Sequence, residues 1–162
     1  MKQPIEADGP NADQIKFWND AGGQNFVRHQ TALDSMLEDY GKRAMERAGV
    51  ETGQVVLDIG CGCGDTTIDL ARRVGPTGEV VGVDISEIML SWAEDLLGHT
   101  ELTNVFFELA DVETSPLHRD SFDLAFPDSA SCSLPTRSPL FAMCTACCMK
   151  MVAWLLPVGS LW

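Results

Sequence analysis

A single short run constrains the fold of this chain more than any other feature. The run VVLDIGCGCGD (55–65) joins an apolar stretch to a turn built on Gly60, Gly62 and Gly64. Glycine adopts backbone angles that other residues avoid, and its missing side chain lets a ligand approach the main chain closely. Open α/β sheets bind nucleotide-like cofactors at such a turn between a buried strand and a helix. The run therefore predicts an α/β fold with a cofactor site at this turn.

Strands and helices are predicted to alternate from this run onward. The apolar runs predict strands over 55–59, 80–83, 105–109 and 122–126. Between them we expect helices over 66–74 and from the capping residue Ser86 to a stop at Gly98. This alternation is typical of a parallel sheet with right-handed crossovers.

The residues before the first strand predict helices only. We expect a short helix over 13–18, a break at Gly22-Gly23 and an amphipathic helix over 28–48, weakened at Gly41. The apolar face of the longer helix comprises Leu33, Met36, Leu37, Tyr40, Ala44, Met45 and Ala48. The chain is thus divided into an N-terminal helical extension (1–49), a sheet core (50–126) and an apolar, cysteine-rich tail (127–162).

The residues around the glycines argue against a dinucleotide. The dinucleotide pattern GxGxxG needs a third glycine at its sixth position, and that position holds Asp65 here. Asp58, just before the turn, would repel a pyrophosphate but suits a ligand that carries an ammonium group, such as a methionine-type tail. A dinucleotide oxidoreductase therefore stays only as a third alternative.

The arrangement resembles the class I S-adenosylmethionine-dependent methyltransferases over residues 50–126. The first motif of that family is an acid followed by a glycine turn, and a second acid, here Asp84, holds the ribose hydroxyls. A third acid, here Asp111, holds the adenine amino group, and Met89 is placed to pack on the adenine face. The resemblance implies a Rossmann-like parallel sheet flanked by helices, incomplete here with about four of seven strands.

The cofactor predicted from this resemblance is S-adenosyl-L-methionine. Its carboxylate would meet backbone donors of the turn and of the helix start at Thr66 and Thr67. The predicted cofactor-binding residues are Asp58, Gly60, Cys61, Gly62, Gly64, Thr66, Asp84, Ile85, Met89, Asp111 and Val112.

The expected activity is methyl transfer to a small-molecule acceptor. A net charge of −13 argues against nucleic acid as the partner, because phosphate contacts need a basic face. The Asp/Asn-Pro-Pro-Tyr/Phe run of nucleic-acid amino-methylating enzymes is replaced by Phe126-Pro127-Asp128-Ser129. A positive sulfur already activates the methyl group, so alignment supplies much of the rate and no catalytic residue or metal is predicted. The leading alternative is a non-catalytic fragment that binds the cofactor.

Three further expectations concern the surroundings of the site. The stretch from Trp18 to Gln24, with His29 and Gln30, either covers the core or shapes the substrate pocket, and His29 is a candidate general base. The N-terminal residues show no secretory signal and the six cysteines form no disulfide framework, which predicts a cytoplasmic protein. No pattern fixes the oligomeric state.

The tail does not continue the alternation, and three explanations compete. The apolar stretch 140–162 is nearly long enough to span a membrane, but Lys150 at its centre costs about 2.5–3.5 kcal/mol and Pro157 follows. A metal site would use Cys132, Cys144, Cys147 and Cys148, whose spacing matches no paired CxxC site.

A reading-frame offset is the explanation we favour. Back-translating 127–136 with permitted codons and reading one base over can yield RFGVMFFADP, a segment like those that continue the FDLAF strand in such families. The outer edge of the fourth strand would then lack its cover, which predicts self-association. Sequencing the encoding DNA tests this hypothesis, because no in-frame continuation at an offset of one base would refute it.

Overall fold

Four parallel strands form one sheet in the computed structural model, which describes residues 5–7, 9–115 and 121–127. The strands are β1 (Val55–Ile59), β2 (Glu79–Asp84), β3 (Val105–Leu109) and β4 (Leu124–Pro127). The helices are α1 (Ala12–Trp18), α2 (Ala21–Ala48), α3 (Asp65–Val74) and α4 (Glu87–Gly98). The α/β prediction is confirmed. The tail hypotheses, including those on Lys150 and the four tail cysteines, fall on 128–162, outside the described residues.

The strand order β3-β2-β1-β4 places the glycine-bearing strand inside the sheet. Strand β1 pairs in parallel with β2 on one side and with β4 on the other. The register sets Ile59 opposite Val83 and Asp84 opposite Leu109. The carboxyl ends of β1, β2 and β3 therefore meet at one edge of the sheet, where the residues that follow them come together.

Two hydrophobic clusters pack on the sheet and bury most of β1 and β2, whereas Phe106 on β3 is 52% exposed. The larger one packs α2 and α3 on the sheet and comprises Ala44, Met45, Val50, Val56, Leu70, Ala71, Val74, Val80, Val105 and Phe126. The smaller one comprises Leu57, Ile59, Val83, Ala110 and Val112. Burying one such aliphatic side chain fully contributes about 1.5–3 kcal/mol. The clusters explain why strands β1 and β2 are almost continuously apolar rather than alternating.

The predicted break at Gly22-Gly23 is wrong, because α2 runs without interruption from Ala21 and the chain turns at Asn19 and Asp20 instead. A side-chain Cβ at Gly23 would lie 2.1 Å from the carbonyl oxygen of Trp18. Glycine at this position therefore permits the close approach of α1 to α2 rather than a break. The interruption expected at Gly41 is also absent.

The predicted apolar face of α2 is partly wrong. Ala44 and Met45 are buried as expected, but Met36 is 71% exposed. At about 100° per residue, the nine positions from Met36 to Met45 amount to about two and a half turns, so the two side chains lie on opposite faces. The cap at Ser86 is confirmed, since its hydroxyl accepts a hydrogen bond from the Met89 amide at 3.3 Å.

Candidate cofactor site

The turn after β1 requires its three glycines. Gly60, Gly62 and Gly64 have φ angles of 75°, 54° and 89°, in the left-handed region that other residues rarely adopt. A Cβ at Gly64 would also lie 2.8 Å from the Cβ of Ala93 on α4. The amides of Gly60 and Cys61 donate to the Val83 carbonyl at 2.8 and 3.2 Å, which ties the turn to the end of β2.

Asp84 joins two loops at the carboxyl edge of the sheet. One of its carboxylate oxygens accepts from the Gly62 amide at 2.9 Å, and the other accepts from the Ser86 amide at 2.8 Å. The side chain is 9% exposed. Asp84 therefore fixes the glycine turn against the start of α4 and also presents a carboxylate at the edge of the sheet.

Asp58 lies beneath the turn rather than in it. Its side chain is completely buried, and one carboxylate oxygen accepts a hydrogen bond of 2.6 Å from the Thr67 hydroxyl. This contact holds the first turns of α3 against β1. The Asp58 carboxyl group therefore lies close to the N-terminal end of α3.

Asp111 follows β3 and receives donors from two parts of the chain. The Asn11 side-chain nitrogen lies 3.0 and 3.1 Å from its two carboxylate oxygens, and the Glu113 amide donates to one of them at 3.0 Å. Asn11 and Asp111 are both buried, at 6% and 3% exposure. A residue at the start of α1 therefore closes over the end of β3.

These elements surround one pocket with about 670 Å³ of empty space, part of it open to solvent. Its lining residues are Asn11, Gln14, Trp18, Phe26, Ile59, Gly60, Val83, Asp84, Ile85, Met89, Ala110, Asp111 and Val112. The walls are apolar, and the charged side chains in this lining are both carboxylates. A ligand with an apolar ring, hydrogen-bond donors and positive charge suits such a pocket.

The structure brings six of the predicted cofactor residues to this pocket, namely Gly60, Asp84, Ile85, Met89, Asp111 and Val112. The other five lie around the pocket rather than in its lining: Asp58, Cys61, Gly62, Gly64 and Thr66. Asp58 and Cys61 are buried, and the Gly62 amide is bonded to Asp84. Their part in binding stays a prediction.

Seven lining residues were not among the predicted site residues. Three of them, Ile59, Val83 and Ala110, are neighbours of predicted residues at the ends of β1, β2 and β3. The other four belong to the N-terminal helices. Asn11, Gln14 and Trp18 come from α1 or its cap, and Phe26 comes from α2. The sequence signal for this region was the stretch from Trp18 to Gln24, which was interpreted either as a cover for the core or as part of the substrate pocket. The candidate base His29 is exposed on α2 and is not part of the lining.

Side-chain hydrogen bonds attach the junction of α1 and α2 to the sheet core. The Asn19 amide nitrogen donates to the Ile85 carbonyl at 2.7 Å, and its oxygen accepts from the Glu87 amide at 2.8 Å. The Ser86 hydroxyl donates to the Trp18 carbonyl at 2.7 Å. Trp18 also packs edge-to-face with Phe26, at 6.0 Å between ring centroids. The aromatic wall of the pocket is thus held in place.

Within 5–7, 9–115 and 121–127, no group of three or more histidine, cysteine or carboxylate side chains is arranged to hold a metal ion. No helix in that same part of the chain has the length and apolar character needed to cross a membrane.

Comparison with solved structures gives the same type of fold. A SAM-dependent methyltransferase from Aquifex aeolicus matches at a TM-score of 0.52 and 26% identity, over 71% of this chain and 55% of that one. Coclaurine N-methyltransferase bound to N-methylheliamine and SAH matches at 0.51 and 29% identity, over 55% and 26%.

Sequence comparison extends this likeness to curated proteins. A demethylmenaquinone methyltransferase of Staphylococcus aureus (strain Newman) is 44% identical over 105 residues, covering 62% of this chain and 43% of the relative. The enzyme of that name from Lactococcus lactis subsp. lactis (strain IL1403) is 35% identical over 115 residues, covering 62% and 46%. The chain spans less than half the length of these relatives. A family profile described as a methyltransferase domain matches residues 51–153. The chain therefore belongs to the methyltransferase domain family.

Proposed function

We propose that this chain binds S-adenosylmethionine and transfers its methyl group to a small-molecule acceptor. The observation that carries the proposal is the convergence of the glycine turn, Asp84 and Asp111 on one pocket. These groups follow three neighbouring parallel strands, and this edge is where open α/β sheets bind their ligands. Membership of the methyltransferase domain family supports the same chemistry.

The residues in the pocket fit the chemical groups of this cofactor. The Asp84 carboxylate suits the two ribose hydroxyls, and the Asp111 carboxylate suits the amino group of adenine. Ile85, Met89 and Val112 offer apolar surface to the purine ring. The bound cofactor supplies a methyl group already activated on a positive sulfur. The task left to the chain is to exclude water and to align the acceptor.

Several observations support a small acceptor. The relatives are named for demethylmenaquinone and coclaurine, which are small molecules. The net charge of −13 disfavours a polyanion such as RNA or DNA.

Cys61 and Cys63 are buried thiols, which fits a reducing compartment, and we propose the cytoplasm.

A non-catalytic cofactor-binding protein is the second candidate. Within the described residues, the pocket accounts for the cofactor and not for an acceptor. The two candidates share the cofactor site and differ only in turnover.

Calorimetry with S-adenosylhomocysteine and NAD tests the shared part. We expect one S-adenosylhomocysteine per chain and no heat with NAD. Asp111→Ala should weaken binding, while Asp95→Ala, an exposed residue on α4, should leave it unchanged. Binding of NAD in place of S-adenosylhomocysteine would refute the proposal.

Methyl transfer separates the two candidates. The chain is incubated with methyl-labelled S-adenosylmethionine and reduced demethylmenaquinone, the acceptor class that the relatives' name suggests, and with a panel of other small phenols and amines. Label in a small product supports the enzyme. Cofactor binding without transfer to any acceptor supports the non-catalytic protein.

A further inference from the structure

The contact between Asn11 and Asp111 links the start of α1 to the end of β3. One amide nitrogen of Asn11 lies within hydrogen-bond distance of both carboxylate oxygens, at 3.0 and 3.1 Å. Both side chains are more than nine-tenths buried, and both line the pocket. The contact therefore lies inside the site.

Asn11 makes this contact in place of its usual local one. It is the N-cap residue of α1, but its side chain makes no capping hydrogen bond to that helix. Asparagine is among the best N-capping residues, since its side-chain oxygen can accept from an amide in the first turn. The Asn11 side chain therefore has an alternative hydrogen bond within its own helix, from an amide in the first turn of α1. It does not make this hydrogen bond in this structure.

We propose that Asn11 competes with the cofactor for Asp111, and so sets how strongly the site selects the amino group of adenine. This inference rests on the proposed function, which assigns Asp111 to that amino group. An asparagine amide and the adenine amino group are both NH₂ donors, so each satisfies the same carboxylate. Binding of the cofactor displaces the Asn11 side chain, which then caps α1.

The hydrogen bonds at Asp111 explain why the two donors exclude each other. Asp111 accepts two contacts from Asn11 and one from the Glu113 amide. The single Asn11 nitrogen bridges both carboxylate oxygens, so an amino group that is to contact the carboxylate in the same bridging way needs the place that Asn11 holds. The Glu113 donor belongs to the backbone two residues away and stays where it is. Asn11 is the donor that must leave.

The rest of α1 can stay in place during this exchange. Ile15, one turn after Asn11, is 4% exposed and anchors the helix in the core. Asn19 and Ser86 hold the other end of α1 to the loop before α4. A rotation of the Asn11 side chain is therefore enough to open Asp111, without undocking the helix.

Because of this exchange, the adenine amino group adds less to the binding affinity than it would add if the Asp111 carboxylate had no contact with Asn11. A cofactor with the amino group replaces one NH₂–carboxylate contact by another. An analogue with a 6-oxo group, S-inosylhomocysteine, leaves Asn11 on Asp111. The intact chain should therefore bind the two ligands with affinities that differ by less than about tenfold, a smaller ratio than the loss of a charged hydrogen bond produces.

Calorimetric titration of three variants with both ligands tests the competition. In Asn11→Ala, S-adenosylhomocysteine should bind about five- to tenfold more tightly, because no charged contact has to be broken first. S-inosylhomocysteine should not gain, so the ratio of the two affinities rises. Asn25→Ala removes an exposed asparagine of α2 and should match the parent.

Asn11→Ser keeps the competition testable if the Asn11→Ala variant does not fold. Serine caps a helix well but is too short to bridge both oxygens of Asp111. Its thermal midpoint should equal or exceed that of Asn11→Ala, and it should bind S-adenosylhomocysteine more tightly than the parent does. The ratio of the affinities for S-adenosylhomocysteine and S-inosylhomocysteine in the unmodified chain also tests the competition, without any substitution.

Three results overturn the inference. Unchanged or weaker binding of S-adenosylhomocysteine in both Asn11 variants shows that Asn11 orients Asp111 for the cofactor instead of competing with it. A ratio above about tenfold in the unmodified chain shows that the amino group meets an open carboxylate. Absence of S-adenosylhomocysteine binding in the parent and in every variant overturns the proposed function itself, which separates the two failures.

Discussion

Replacing Asp84 by alanine tests whether one carboxylate holds the glycine turn against the start of α4. The two oxygens of Asp84 accept from the Gly62 and Ser86 amides at 2.9 and 2.8 Å. Gly62 and Ser86 are both buried. Asp84→Ala leaves both amides without this acceptor in a place where water enters poorly.

The expected loss of stability follows from these two contacts. A buried donor that loses its partner costs about 1–3 kcal/mol. The substitution also removes a carboxylate that is itself costly to bury, which offsets part of this loss. The net decrease in the free energy of unfolding should therefore be about 2–4 kcal/mol, a large fraction of the 5–15 kcal/mol that is typical of a domain.

Urea unfolding followed by circular dichroism measures this free energy. Asp84→Asn keeps one acceptor oxygen, so its loss should be about half as large. Asp95→Ala changes an exposed aspartate on α4 and should stay within about 0.5 kcal/mol of the parent. If Asp84→Ala also stays within that range, Asp84 does not hold the two loops together and the argument fails.

Three further predictions concern the turn and the pocket wall. Gly64→Ala should lower stability by about 1–3 kcal/mol in urea unfolding, because its φ is 89° and the new Cβ meets α4. Gly41→Ala, in open space on α2, should instead raise stability by about 0.5–1 kcal/mol, and equal effects would refute the turn argument. Binding of S-adenosylhomocysteine should change tryptophan fluorescence in the parent and in Trp92→Phe, but no longer in Trp18→Phe, which removes the indole of the pocket wall. Asn19→Ala should cost about 1–3 kcal/mol and speed cleavage of α1 by a protease, whereas parent-like cleavage would show that its hydrogen bonds do not hold α1.

The strands were predictable because their residues carry the signal locally. The run before Gly60 is apolar on both faces, as a central parallel strand requires, and β1 begins and ends where the pattern predicts. The fourth strand was predicted over 122–126 and is found at Leu124–Pro127. The pattern there lacks a glycine or a capping residue to fix the boundary.

The strand-end acids could be predicted, but their partners could not. Asp58, Asp84 and Asp111 stand at fixed distances from apolar runs, so the sequence indicates their place at the edge of the sheet. Asn11 lies one hundred positions before Asp111, and no local pattern links the two. The same holds for Asn19 and the loop before α4, since their hydrogen bonds exist only once α1 and α2 have packed on the sheet.

Two glycines in α2 show how one residue type leads to the same wrong prediction for two different reasons. Gly23 was interpreted as a helix break, yet it lies within α2. Glycine is required there because the Cβ of a larger residue would collide with the Trp18 carbonyl. Gly41 was also interpreted as a weak point, yet a Cβ there meets nothing within 4 Å. Helix propensity treats both positions alike. Only the packing around each one distinguishes a required glycine from a tolerated one.

Each of the three acids Asp58, Asp84 and Asp111 accepts a hydrogen bond from a donor of its own chain. Thr67 bonds Asp58, backbone amides bond Asp84, and Asn11 with a backbone amide bonds Asp111. A buried carboxylate without donors would destabilise the fold, so donors of the chain itself stabilise each of these side chains. Donors that belong to the backbone beside a strand end cannot leave. A donor on a rotatable side chain in the pocket lining can leave, and Asn11 is such a lining residue with an alternative hydrogen-bond acceptor role in its own helix.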